Sequence, residues 1–209
     1  MLEFYSACKE LDYDRWVSNS LERQYSNLGR HYHSLNHINA MLELIDTEPG
    51  LVGEGRGDLI KATLWHDYVY KFFDNLPGEN ELLSAVEYCR LTECRTPDTA
   101  VYKMICASSN HAIDQKNAAA YPMVGLFLDF DLGSFAQPWE IMRRGSLNVL
   151  LEAEPYYGKL SALRSSAVFM EALLKRDSLY YVKKDWVPVA RGNIQRRLGE
   201  VYAEIVGLS

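Results

Sequence analysis

The sequence predicts an all-α fold, and three observations predict it. Apolar residues recur at helical spacing almost throughout. Proline, glycine and acidic start signals punctuate the chain at helix-length intervals. Strand signals are weak: the best, VYKFF at residues 69–73, is short. At 209 residues the default is one domain spanning 1–209. The expected architecture is a single helical bundle of roughly eight to ten helices.

The elements follow in order. Leu35, Ile38, Met41, Leu42 and Ile45 form one apolar stripe at helix spacing. TEPGLVGEGRGD, residues 47–58, is glycine-rich and reads as a loop. Asp58 is placed to cap a helix starting near Leu59 and running through LIKATLWHDYVY, which delivers His66 and Asp67. Pro77-Gly78 breaks the chain, and ENELLSAVEYCRLTE reads as the next helix. Pro97-Asp98 opens another, with Val101, Met104 and Ile105 facing inward. Pro122 begins a short apolar helix, MVGLFLDFDLG, which carries Asp129 and Asp131. Longer helices are expected around residues 138–153 and 159–176, and a last one from about Pro188 to Val206.

Composition narrows the function classes. A hydrophobic fraction of 48% is ample for one sizeable core. A net charge of -6 and a pI near 5.4 argue against a general nucleic-acid binder, which needs a basic footprint, but leave room for a local phosphate pocket. No stretch is apolar and long enough to span a bilayer. The opening MLEFYSACKELDYDRW lacks an apolar core segment, so it does not read as a secretory signal. Cys8, Cys89, Cys94 and Cys106 show no CxxC spacing, as expected of reduced cysteines in a cytoplasmic protein. No repeat or low-complexity tract is visible.

The chemistry sits with the histidines. There are five, His31, His33, His37, His66 and His111, and four lie near acidic residues or one another. His66 and Asp67 are adjacent, so on a helix they point about 100° apart. Both can reach one ion off the helix side, but further ligands must come from other helices. His37 lies on the stripe-bearing helix, and His33 lies one turn before it if the helix extends that far. Asp131 lies on the helix after Pro122. Imidazoles and carboxylates together suit a divalent ion with positions left open for water and substrate, which is the apparatus of metal-assisted hydrolysis.

At these residues the chain resembles the HD-domain superfamily of metal-dependent phosphohydrolases. The order His … His-Asp … Asp matches. Tyr32-His33-Ser34-Leu35-Asn36-His37 resembles the YHNxxH element of cyclic-nucleotide phosphodiesterases, with Ser34 in place of the usual Asn. Trp65-His66-Asp67 carries the signature dipeptide, and Asp131-Leu132 resembles the element that supplies the last acidic ligand. The whole chain further resembles a bacterial family of small HD phosphohydrolases in RHYHSLNH, WHDYVY, ENELLSA, Asn110-His111, LDFDL and ARGN at residues 190–193; residues 134–185 resemble it least.

The resemblance implies His37, His66, Asp67 and Asp131 as ligands of a divalent ion, with Mn, Fe, Co, Ni, Zn or Mg all compatible with a mixed nitrogen and oxygen site. It places His33 beside the leaving group, where a protonated imidazole acts as general acid. Asp129 is a rival to Asp131. Glu81 is a candidate general base, or a solvated acid at a helix N-terminus. Arg30 is a candidate phosphate contact, or a surface ion pair. His111 is a candidate contact for substrate phosphate or a second ion's water, with a structural role equally open. His31 reads as a solvated residue, Arg191 and Asn193 as structural, and Lys183, Lys184, Arg196 and Arg197 as a solvated face. Tyr32, Tyr68 and Tyr70 flank the motifs; core packing is the preferred account of them. Because one histidine follows Asp67, an oxygenase built on a fuller histidine set is disfavoured.

Two functions from different classes stand. One is metal-dependent hydrolysis of a small phosphorylated substrate, with a nucleotide among the candidates. The alternative is a non-catalytic module that binds metal and nucleotide. The sequence leaves the metal, the substrate and the oligomeric state open, a homodimer included.

Overall fold

The computed structural model describes residues 1–72, 76–92, 99–113 and 122–208. Among them are ten α-helices, two short 3-10 helices and no strand. The all-α expectation therefore holds. The chain divides into two compact units, Met1–Asp131 and Leu132–Ser209.

The N-terminal unit contains α1 (Phe4–Glu10), α2 (Arg15–Tyr25), α3 (Leu35–Thr47), α4 (Gly53–Trp65), α5 (Glu79–Leu91), α6 (Ala100–Ala107) and α7 (Pro122–Asp131). Local chemistry sets several of the starts. Asp14 accepts a hydrogen bond from Val17 N at 2.8 Å and caps α2. Thr99 caps α6 in the same way, accepting from Tyr102 N at 3.2 Å. Gly78, at φ +81°, takes the left-handed turn that enters α5. Pro97-Asp98, expected to open α6, lies outside the described residues.

α4 is the axis of this unit and packs against α3, α5, α6 and α7. Leu59, Ile60, Ala62, Thr63, Leu64 and Trp65 are all buried, as in a helix apolar on every side. The polar edges of that packing are bonded. Trp65 Nε1 donates to the Tyr13 hydroxyl at 3.0 Å, and the Tyr25 hydroxyl donates to Leu64 O at 2.9 Å. α3 lays His37, Ile38, Met41, Leu42 and Ile45 inward, as its apolar stripe requires.

Two expectations are corrected here. The loop at residues 47–58 ends sooner, because α4 begins at Gly53, and Asp58 is inside the helix, paired with Lys61 at 3.5 Å. Each helical glycine costs about 1 kcal/mol relative to Ala, but burial of the following turns outweighs that. Gly55 also has a packing reason: a Cβ there would stand 3.2 Å from Met123 Sδ on α7. The helix expected to run through LIKATLWHDYVY ends at Trp65, and residues 69–72, the described part of the weak strand signal, are neither helix nor strand. Their backbone bonds to side chains instead: Val69 N donates to Ser84 Oγ at 2.9 Å, and Lys71 exchanges bonds with the Asn80 amide at 3.1 and 3.0 Å.

The C-terminal unit contains a 3-10 helix at Leu132–Ala136, α8 (Trp139–Tyr157), α9 (Lys159–Leu174), a 3-10 turn at Lys184–Trp186, and α10 (Val187–Leu208). Its core joins Leu150, Leu163, Met170, Leu173, Tyr180 and Ile194. Arg191 donates to Leu174 O and Arg176 O at 2.9 and 2.6 Å, closing the C-terminal end of α9. Asn193 donates to Phe135 O and Gln137 O at 2.9 and 2.8 Å. Both are structural, as expected. Arg197 is not on a solvated face. It shares the buried stripe of α10 with Ala190, Ile194 and Val201, and its guanidinium meets Ser146, Glu200 and Glu204.

Gly57 has open space where a Cβ would be, unlike Gly55. Gly57→Ala is therefore expected to stabilise the chain by about 0.5–1 kcal/mol through helix propensity and a less flexible unfolded state. Gly55→Ala should gain less or lose stability. Urea denaturation midpoints check the order; equal gains at both positions would contradict the packing assigned to Gly55.

Candidate metal centre

Three helices deliver one cluster. α3 supplies His37 from its first turn, α4 ends where His66 and Asp67 begin, and α7 supplies Asp131 as its last residue. All four are buried, at 8%, 1%, 9% and 9% exposure respectively. His66 Nε2 stands 3.0 Å from Asp67 Oδ2 and 3.5 Å from Asp131 Oδ1. His37 Nε2 stands 3.3 Å from His66 Nε2, 3.2 Å from Asp131 Oδ1 and 3.9 Å from Asp67 Oδ2.

These separations are those of ligand edges around an ion. Ligands about 2.1 Å from a common centre stand about 3.0 Å apart in octahedral and about 3.4 Å apart in tetrahedral geometry. His37, His66 and Asp67 thus form a group that could hold a metal ion. The protons point the same way. His66 Nδ1 lies 3.0 Å from Thr63 O, and a carbonyl only accepts, so Nδ1 carries the proton. In the neutral ring Nε2 is then a lone pair facing the cluster, the orientation a ligating imidazole needs. Asp67 Oδ2 is buried, and His66 Nε2 approaches it at 3.0 Å. A buried carboxylate oxygen is costly unless a cation stands beside it.

In the ion-free site protons take that role. Burial disfavours the charged form of His66, but the charges of Asp67 and Asp131 together outweigh it and raise its pKa well above the usual imidazole range. Burial likewise pushes Asp67 and Asp131 upward. For both, charged His66 and the hydrogen bonds around them prevail and hold the carboxyls below the usual carboxylate range.

The remaining candidates fall around this cluster. Ser34 is extended and α3 starts only at Leu35, so His33 precedes the helix and does not lie one turn up its face. His33 still borders the site: its ring stacks on Tyr70 at 4.1 Å and lies 6.1 Å from the His37 ring, centroid to centroid. Glu81 is half-buried at the start of α5. Burial raises its pKa, and the charges acting on it include Asp67, His111 and His66. His111 places Nε2 3.1 Å from Asp131 Oδ2. Asp131 contacts His37, His66 and His111, and its rival Asp129 is buried on the same helix. His31 is exposed, as expected.

Arg30, a candidate phosphate contact or surface ion pair, makes backbone contacts beside the cluster. Nη1 donates to Asp67 O at 2.6 Å and to His33 O at 3.3 Å, and Nη2 donates to Tyr68 O at 2.9 Å. The guanidinium also lies over the rings of Tyr25 and Tyr70. It is a cationic cap, supplied from another part of the chain, on carbonyls just past the C-terminal end of α4. Periodicity gave no sign of this strut, nor of the Tyr25 hydroxyl on Leu64 O, because both bonds run from side chains to distant backbone.

Arg30→Ala is expected to lower stability by about 1–3 kcal/mol, since it leaves the Asp67 and Tyr68 carbonyls without this donor. Arg30→Lys should recover only part, because an ammonium cannot span both carbonyls as a planar fork does. An alanine variant as stable as wild type in urea titration would show the strut to carry no weight.

No family model, curated protein or solved structure matches the chain. Its function has to come from the chemistry of these residues.

Proposed function

We propose that the chain is a metal-dependent phosphohydrolase for a small phosphate ester, a nucleotide among the candidates. His37, His66, Asp67 and Asp131 hold one divalent ion. The observation that carries this reading is the mutual approach of His37 Nε2, His66 Nε2 and Asp67 Oδ2 in a buried group, with Asp131 Oδ1 against both imidazoles. The donor set fits: two imidazole nitrogens and two carboxylate oxygens suit Mn, Fe, Co, Ni or Zn, and Mg less well.

When bound, such an ion polarises a phosphoryl oxygen and acidifies water. The protein's own residues do the rest. The Thr63 carbonyl keeps His66 in the tautomer that presents Nε2. Arg30 ties the backbone of Asp67 to that of His33, so the ligand and the candidate acid are held in register. His33, against Tyr70, donates a proton to the departing ester oxygen. Glu81, whose burial raises its proton affinity, takes the proton released as water attacks phosphorus.

His66→Ala or Asp67→Ala should abolish both metal content and turnover, with the helical fold retained by circular dichroism. The test is hydrolysis of nucleoside mono-, di- and triphosphates and cyclic nucleotides with each candidate metal. Retained hydrolysis in either variant would sink the proposal. Metal uptake without turnover of any phosphate ester would return the chain to the non-catalytic binding module.

The ion and a proton compete for His66 Nε2. Its pKa is raised above the ordinary imidazole range in the ion-free chain, so metal affinity should climb as pH rises and the proton is lost. Calorimetric titration with Co at pH 7 in buffers of different ionisation enthalpy should report proton release. Binding heats independent of buffer would contradict this.

A further inference from the structure

The two oxygens of the Asp131 carboxylate face three imidazoles. Its Oδ1 faces His37 Nε2 at 3.2 Å and His66 Nε2 at 3.5 Å. Its Oδ2 faces His111 Nε2 at 3.1 Å. His111 comes from a different part of the chain, just past the C-terminal end of α6, a helix that packs on α7. Its backbone is unusual, with φ at +49°, a left-handed conformation that few residues other than glycine adopt. The preceding residue supports that conformation: Asn110 Oδ1 accepts from Ala112 N at 2.9 Å, bracketing His111 from both sides. The chain thus spends a strained backbone position and an amide side chain on placing one imidazole against one carboxylate oxygen.

A carboxylate can bind an ion through one oxygen or through both. Which it does depends on what else holds the second oxygen, and such outer contacts tune metal affinity strongly. We propose that His111 is a positioning residue that holds Asp131 to one-oxygen coordination and so keeps a coordination position open for substrate or water. His111 engages Oδ2, leaving Oδ1 to the ion. Asn110 acts through His111 by fixing its backbone. This rests on the reading of the cluster as a metal centre, and it gives His111 a role different from contact with the substrate phosphate.

The experiment is Co titration of the full chain, followed by competition calorimetry and by the visible absorption of bound Co, which reports coordination number. His111→Asn keeps a residue tolerant of left-handed backbone but withdraws the imidazole. It should weaken Co binding by about 10- to 100-fold and change the Co spectrum. Asn110→Ala should move both readouts in the same direction by less, and Asn110→Asp, which keeps the acceptor, should restore them. The double variant His111→Asn/Asn110→Ala should be no weaker than His111→Asn alone, because Asn110 acts only through His111. A His111→Asn variant with wild-type affinity and spectrum would overturn the inference while leaving the metal centre standing. Additive losses would also overturn it, since they would make Asn110 independent. A wild type that takes up no Co would remove the metal centre and this inference together.

Discussion

Two carboxylates and two imidazoles are gathered into one buried point where α3, α4 and α7 meet, and the N-terminal unit is arranged around that fact. Bringing Asp67 and Asp131 out of water costs on the order of several kcal/mol each unless positive charge accompanies them. The compensating charge is either a proton on His66, whose pKa the two acids raise, or a divalent ion at the same place. Either occupant needs the four donor atoms at fixed separations, so the surrounding structure has to be stiff.

That stiffness is visible in what borders the site. α4 is fully buried over its last turn and ends at Trp65, which is bonded to Tyr13. The chain beyond it would leave carbonyls exposed to a half-buried environment, and Arg30 caps two of them. Ser84 and Asn80, both on α5, then hold the segment after Tyr68 through its backbone, a bonding pattern that stands in for a strand neighbour. Phe127 of α7 packs edge-on against the His66 ring at 5.7 Å between centroids. Position is thus imposed on the cluster by packing, by backbone bonds and by an aromatic wall.

Much of this was legible in the sequence because it obeys short-range rules. The stripe of α3, the break at Pro77-Gly78 and the helices after Pro122 follow spacing and punctuation, and the structure has them. The residues of the cluster, His37, His66, Asp67 and Asp131, are legible too, through likeness to a known order of motifs. What was not legible depends on distant contacts. The glycines before Asp58 look like a loop, yet they are helical because the turns after them are buried and Gly55 admits Met123. Arg197 looks like part of a basic face, but it sits at a stripe position of α10 with two glutamates and a serine to receive it. Arg30 gives no local sign that it also holds carbonyls of another segment through both its terminal nitrogens. In each case local composition suggested solvent, and tertiary neighbours decided otherwise.

The most direct test is anomalous diffraction from crystals grown with Mn or Co, recorded on both sides of that metal's absorption edge. A single strong peak about 2.0–2.2 Å from the Nε2 atoms of His37 and His66, and from one oxygen each of Asp67 and Asp131, is the predicted result. Density for ordered water with no anomalous signal, and with the carboxylates hydrogen-bonded to protonated imidazoles at saturating metal, would contradict it.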